Sequence, residues 1–166
     1  MAKYYVNRDG ECFLSSLANA ILVEFDDNET AAKVYEEGRK HNLVQINGGT
    51  MATTWPNLVR ELSEGKYIGE LYCHPDYTSD TLELVTERFT REQLTNYHQA
   101  IHQENIHAGT SFEIDEPVIL ALKKTETGHA IVDLGDNKYI DNGIEKTINL
   151  DSDEIKAVFK VKINKD

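Results

Sequence analysis

The stretch Arg8-Asp9-Gly10-Glu11-Cys12-Phe13-Leu14-Ser15-Ser16-Leu17-Ala18-Asn19-Ala20 sets a cysteine between a turn and a helix. Gly10 frees the backbone just before Cys12. After the cysteine, Leu14, Leu17, Ala18 and Ile21 recur at i, i+3, i+4 and i+7, the spacing of one buried helical stripe. Cys12 stands off that stripe. Ser15, Ser16 and Asn19 follow it at helical spacing, so its side chain shares a more polar direction. The positive end of a helix dipole favours an anionic group in the first turn, and the thiolate is the form of cysteine that attacks carbonyls. A cysteine so placed is a candidate nucleophile if a histidine reaches it; otherwise it is a small buried hydrophobe.

Outward from this helix, the pattern predicts helices first and strands afterwards. Lys3 to Val6 reads as a short strand or an extended lead-in, and the Cys12 helix runs to about Val23. Asp26, Asp27 and Asn28 break it and offer caps for a second helix from Glu29 or Thr30 to about Lys40. Asn47-Gly48-Gly49-Thr50 is a loop. A third helix, capped by Thr54 with Pro56 in its first turn, buries Leu58, Val59 and Leu62 and stops at Gly65. Tyr67 to Tyr72 is a strand, followed by a turn at Cys73-His74-Pro75-Asp76. Thr81 to Arg88 fits a strand or the start of a helix, and Thr90 with Gln93 forms a capping box for a helix through about Glu104. After a break at Ala108-Gly109-Thr110, Pro117 to Lys123, His129 to Leu134, Lys138 to Ile140 and Ala157 to Ile163 read as strands. That order predicts an α+β fold in one domain, with residues 1–110 as a mainly helical lobe and 111–166 as a β-sheet lobe.

The composition narrows the functional classes. The chain has 166 residues, 40% of them hydrophobic and 28% charged, enough for a single domain with a real core. Its formal net charge of −12 repels phosphates, which argues against a nucleic-acid partner. No apolar run approaches the roughly 20 residues of a membrane span, and Met1 to Asn7 lacks the apolar core of a signal peptide. With two cysteines, Cys12 and Cys73, a disulfide framework is not expected, so the reading is a reduced, cytoplasmic protein. No motif calls for a cofactor. His98 and His102 are spaced i, i+4 as in half of a zinc site, but no Cys, Asp or Glu cluster completes it, and no metal is expected.

Among the six histidines, His129 is the candidate partner for Cys12. His41 and His107 read as surface positions, and His74 adjoins Cys73 at a spacing that turns the two side chains apart. His129 follows Gly128 and opens the apolar strand Ala130-Ile131-Val132-Asp133-Leu134. The chain turns at Gly135-Asp136-Asn137 and returns through Lys138-Tyr139-Ile140-Asp141-Asn142-Gly143. A histidine with a carboxylate brought back beside it is the arrangement of an oriented general base. Register decides the orienter. A three-residue loop at 135–137 pairs Leu134 with Lys138 and puts Asp141 on the face of His129, about 7–8 Å away on the diagonal. A two-residue loop puts Asn142 there instead. Asp141 is the favoured assignment and Asn142 the alternative.

A cysteine heading the first helix, a Gly-His-Ala strand far downstream and an Asp or Asn one strand later resemble the papain-like cysteine peptidases. Within them, the chain is most similar to the small bacterial and phage group of the bacteriocin-processing, peptidase C39-like kind. Asp9-Gly10-Glu11-Cys12-Phe13 is also similar to the Asp-Gly-x-Cys segment of the ovarian-tumour deubiquitinases, over five residues only. The resemblance implies a nucleophile helix packed on an antiparallel sheet that carries the histidine, with a substrate cleft between lobes. It also implies a glutamine about six residues before the cysteine as oxyanion donor. Val6 stands there, Asn7 is next to it, and no glutamine precedes Gln45, so Asn7 with the Cys12 amide is the candidate oxyanion pair.

The resulting expectation is thiol-dependent acyl transfer on a peptide or protein substrate by Cys12, His129 and Asp141, most simply peptide or isopeptide hydrolysis. Deamidation or transglutaminase-type transfer uses the same groups. A degenerate papain-like fold that binds a protein partner without cutting it is the alternative, as is an unrelated α+β domain in which Cys12 and His129 never meet.

Overall fold

A computed structural model of the chain describes residues 4–8, 11–40, 55–73, 106–108, 117–122, 129–150 and 154–165. Helix α1 spans Cys12–Phe25, α2 spans Asn28–Glu37 and continues as a 3-10 turn over Gly38–Lys40, and α3 spans Trp55–Leu62. The strands are β1 (Tyr67–Cys73), β2 (Ile106–Ala108), β3 (Val118–Leu122), β4 (His129–Gly135), β5 (Lys138–Asp141), β6 (Ile144–Thr147) and β7 (Ile155–Ile163). They form one seven-stranded sheet in the order β2-β1-β7-β3-β4-β5-β6. All neighbours pair antiparallel except β1 and β2, which are parallel. The fold is α+β.

The stripe read from the sequence is the centre of the core: Leu14, Leu17, Ala18 and Ile21 of α1 are fully buried. They meet Ala130 and Val132 of β4, Ile119 and Ala121 of β3 and Ile140 of β5. Burying each large apolar side chain stabilises by about 1.5–3 kcal/mol, so this layer dominates the attachment of α1 to the sheet. Phe13, next to Cys12, stacks on Trp55 of α3 with ring centres 4.3 Å apart, and both rings meet the edge of Phe159 in β7. Val118, Leu120, Leu122, Ile131, Tyr139 and Val158, the alternate residues of the strands, form a second cluster on the opposite face.

The helix ends follow from local chemistry. Asp26 closes α1 in a left-handed conformation, its N–H donating to the Leu22 carbonyl at 3.0 Å. Asp27 opens α2, its Oδ1 accepting from the Thr30 N–H at 3.1 Å. Its other oxygen accepts from Lys66 Nζ at 2.6 Å and Tyr67 Oη at 2.7 Å, which ties α2 to the start of β1. After α3, Gly65 (φ +81) reverses the chain, as its position in the sequence predicts.

Several expectations differ from the structure. Of the two readings of Lys3 to Val6, the strand does not form over the described residues 4–6: Asn19, Tyr35 and Asn142 side chains take the backbone bonds of Tyr5, Val6 and Asn7 that a neighbouring strand would take. The boundary near residue 110 does not divide sheet from helices, because β1 and β2 join the sheet of the C-terminal strands. β2 and β6 were not anticipated. The loop at 47–50, the cap at Thr54, the turn after Cys73, the segment 81–88 and the helix through about 104, with His98 and His102, lie outside the described residues.

Candidate active site

Cys12 is the first residue of α1 and is half-buried. The turn before it is braced by charge. Glu11, buried almost completely, pairs with Arg8 Nε at 3.3 Å. The Arg8 guanidinium in turn lies 3.7 Å above the Tyr35 ring and donates to the Tyr35 carbonyl. The helix is also pinned to the sheet beside the site. Ser16 Oγ donates to the Ala130 carbonyl of β4 at 3.1 Å, one residue from His129. The polar side of α1 is therefore buried too, and its polar groups are hydrogen-bonded, as burial requires.

His129 opens β4. Its Nε2 lies 2.7 Å from Asp141 Oδ1, and Cys12 is near enough to shift its affinity for a proton. With Nε2 engaged by the carboxylate, Nδ1 is left for the thiol. These contacts raise the histidine pKa above its usual 6.5, the Cys12 hydrogen bond first, then the Asp141 hydrogen bond and charge, while burial opposes them. Lys146 of β6 approaches the other carboxylate oxygen of Asp141, Oδ2, at 3.6 Å.

Asp141 reaches this place by a route the sequence did not reveal. The β4–β5 connection is a two-residue turn in which Asp136 and Asn137 both have positive φ, the type I′ geometry that matches strand twist. Such a turn by itself would set Asn142 in register with the histidine. A β-bulge between Asp133 and Gly135 takes up one residue, so Val132 faces Ile140 and Asp133 faces Tyr139. Gly135 adopts φ +90 there, and its N–H donates to Asp133 Oδ1 at 2.9 Å. The expected pairing of Leu134 with Lys138 is replaced by Gly135 with Lys138, yet the carboxylate still lands beside the imidazole.

Asn142 lies instead in the β5–β6 turn at φ +55, where its Oδ1 accepts from the Asn7 N–H at 2.8 Å. The Asn7 side chain is held from the other side, its Oδ1 accepting from Ser15 Oγ. Ser15 Oγ also lies 3.1 Å from the Cys12 carbonyl oxygen, so the Asn7 amide stands beside the first turn of α1. The Cys12 N–H belongs to that turn and has no acceptor within its own helix.

A thiol beside an imidazole that is held by a carboxylate can pass a proton from sulfur to nitrogen, and the carboxylate stabilises the imidazolium that results. The sequence reading missed Lys146, although Asn142-Gly143 between two short runs is itself a hairpin signal that would have revealed β6. It also missed the brace of Arg8, Glu11 and Tyr35. The Cys73 side chain lies outside the described set; among the described residues Cys12 is a free thiol. Among the described residues no group of three or more His, Cys, Asp or Glu could hold a metal ion, and no helix is long and apolar enough to cross a membrane. No family model matches the chain, and no curated protein or solved structure matches it either.

Proposed function

We propose that the protein is a thiol-dependent acyl-transfer enzyme of papain-like plan. What supports this reading is the His129 imidazole, 2.7 Å from the Asp141 carboxylate and near enough to Cys12 for the thiol to raise its pKa. In the proposed reaction His129 accepts the thiol proton and the sulfur adds to a substrate carbonyl. The oxyanion that forms is held by the Cys12 N–H and the Asn7 side-chain amide. Collapse of this intermediate breaks the bond to the leaving group, which takes the proton from His129, and leaves a thioester on Cys12. Water, deprotonated by His129, then releases the acid; an amine in place of water gives transfer. Asp141 keeps Nε2 occupied, so Nδ1 is the nitrogen that moves the proton. Peptide or isopeptide substrates suit this chemistry, and a nucleophile that must stay reduced suits the cytoplasm.

The test uses p-nitrophenyl acetate as acyl donor. The wild-type chain should release a burst of p-nitrophenolate that disappears in Cys12→Ala. His129→Ala and Asp141→Ala should slow it tens- to thousands-fold, a barrier increase of roughly 2–4 kcal/mol. Release unchanged in Cys12→Ala removes the reading.

A further inference from the structure

The β5–β6 turn carries a contact that hairpin closure does not require. Asn142 and Gly143, at φ +55 and +74, supply the positive φ values of a tight turn, and Asp-Gly or Gly-Gly would serve equally. Yet the Asn142 amide reaches away from the hairpin to the Asn7 N–H, far off in sequence, at 2.8 Å. Gly143 fits against the same segment. A Cβ added to it would lie 2.7 Å from Val6 Cγ1 and 2.9 Å from the Tyr5 carbonyl oxygen. Across the segment, α1 supplies the opposing grip. Asn19 bonds both the Tyr5 N–H and the Tyr5 carbonyl, and Ser15 bonds the Asn7 side chain. Residues 5–7 are thus clamped between the nucleophile helix and the turn that follows Asp141.

We propose that Asn142 is a positioning residue for the oxyanion arm, its bond to the Asn7 N–H setting where the Asn7 side-chain amide stands beside Cys12. This rests on the acyl-transfer reading above. Because Asn142 directly follows Asp141, one strand end would fix both the orienter of His129 and the donor to the oxyanion. A donor acts on a developing charge only from a narrow range of positions, so a shift of the arm costs rate even when no reacting group is lost.

Two reactions at the same sulfur separate this role from a general effect on the site. Acylation by p-nitrophenyl acetate forms the C–S bond at a carbonyl carbon, places the electron pair on oxygen, and then expels p-nitrophenolate. Alkylation by iodoacetamide forms the C–S bond at a saturated carbon and releases iodide, with no oxyanion. Asn142→Gly keeps the positive φ and removes the amide; Asn142→Asp keeps an acceptor oxygen at the same place. All rates are taken on the full chain after subtracting those of Cys12→Ala.

Asn142→Gly should slow acylation of Cys12 roughly 10- to 100-fold while leaving its alkylation within about twofold. Asn142→Asp should restore most of the acylation rate. Gly143→Ala, which pushes Val6 and Tyr5 away, should show the same split between the two reactions; if that variant does not fold, Asn142→Gly decides alone. Parallel loss of both reactions overturns the proposal, because Asn142 then acts through the thiol or His129. Acylation at the wild-type rate in Asn142→Gly overturns it as well. A wild-type chain that alkylates at Cys12 but shows no Cys12-dependent acylation overturns the acyl-transfer reading, and the proposal falls with it.

Discussion

At the scale of the residue, His129 is the side chain whose proton can be followed directly. Its interactions with Cys12 and the Asp141 carboxylate raise its pKa, so its NMR titration midpoint should lie above the usual 6.5. Cys12→Ala and Asp141→Asn should each lower it; a midpoint that stays put in both would contradict the contacts. The same shift has a consequence for stability. A group that binds its proton more tightly when folded contributes fully below its unfolded pKa of about 6.5 and loses that contribution as pH rises through the folded value. Resistance to urea should therefore decline from near neutrality upwards in the wild type, and more shallowly in His129→Ala.

At the scale of the element, adjacent residues divide their work between two helices. Asp26 ends α1 and Asp27 begins α2, and the Asp27 carboxyl is held well below its usual range. The Lys66 hydrogen bond is the first cause of that shift, followed by the bond from Thr30. Asp27→Ala removes a cap worth about 1–2 kcal/mol and leaves the Tyr67 hydroxyl without this acceptor, so thermal unfolding at pH 7 should shift down. A depressed pKa contributes above the unfolded value and is lost as pH falls, so the gap between variant and wild type should narrow on acidification. A gap that widens in acid would refute this account.

How far elements were legible in the sequence depended on whether a local signal fixed them. The stripe from Leu14 to Ile21 announced α1 because period 3.6 is readable without any partner. The apolar runs of β3, β4 and β7 were equally plain. β2, three residues long, is defined only by pairing with β1, which no local pattern encodes. His129 and Cys12 were identified by chemistry and by their place at element ends. The contact of Asp141 with His129 hung on one residue of register. A two-residue turn combined with a bulge gives the same alignment as the three-residue loop that was expected, and nothing around Leu134 distinguishes the two.

At the scale of the molecule, the aromatic group of Phe13, Trp55 and Phe159 joins α1, α3 and β7 in one contact. Gly69 of β1 makes room for it: a Cβ there would lie 2.0 Å from Phe159 Cζ. Gly69→Ala should therefore destabilise by roughly 1–3 kcal/mol, read as a lower urea midpoint at unchanged slope. An unchanged midpoint would mean that the ring can swing aside. The same group also sets an order of events during synthesis. β7 lies between β1 and β3, yet of the described strands it is the one made last. Until residues 155–163 leave the ribosome, β1 and β3 have no strand to join them and the rings of Phe13 and Trp55 lack the edge they pack against. The thiol and its histidine are by then already outside. They wait in a nascent chain without a finished scaffold until β7 enters between β1 and β3.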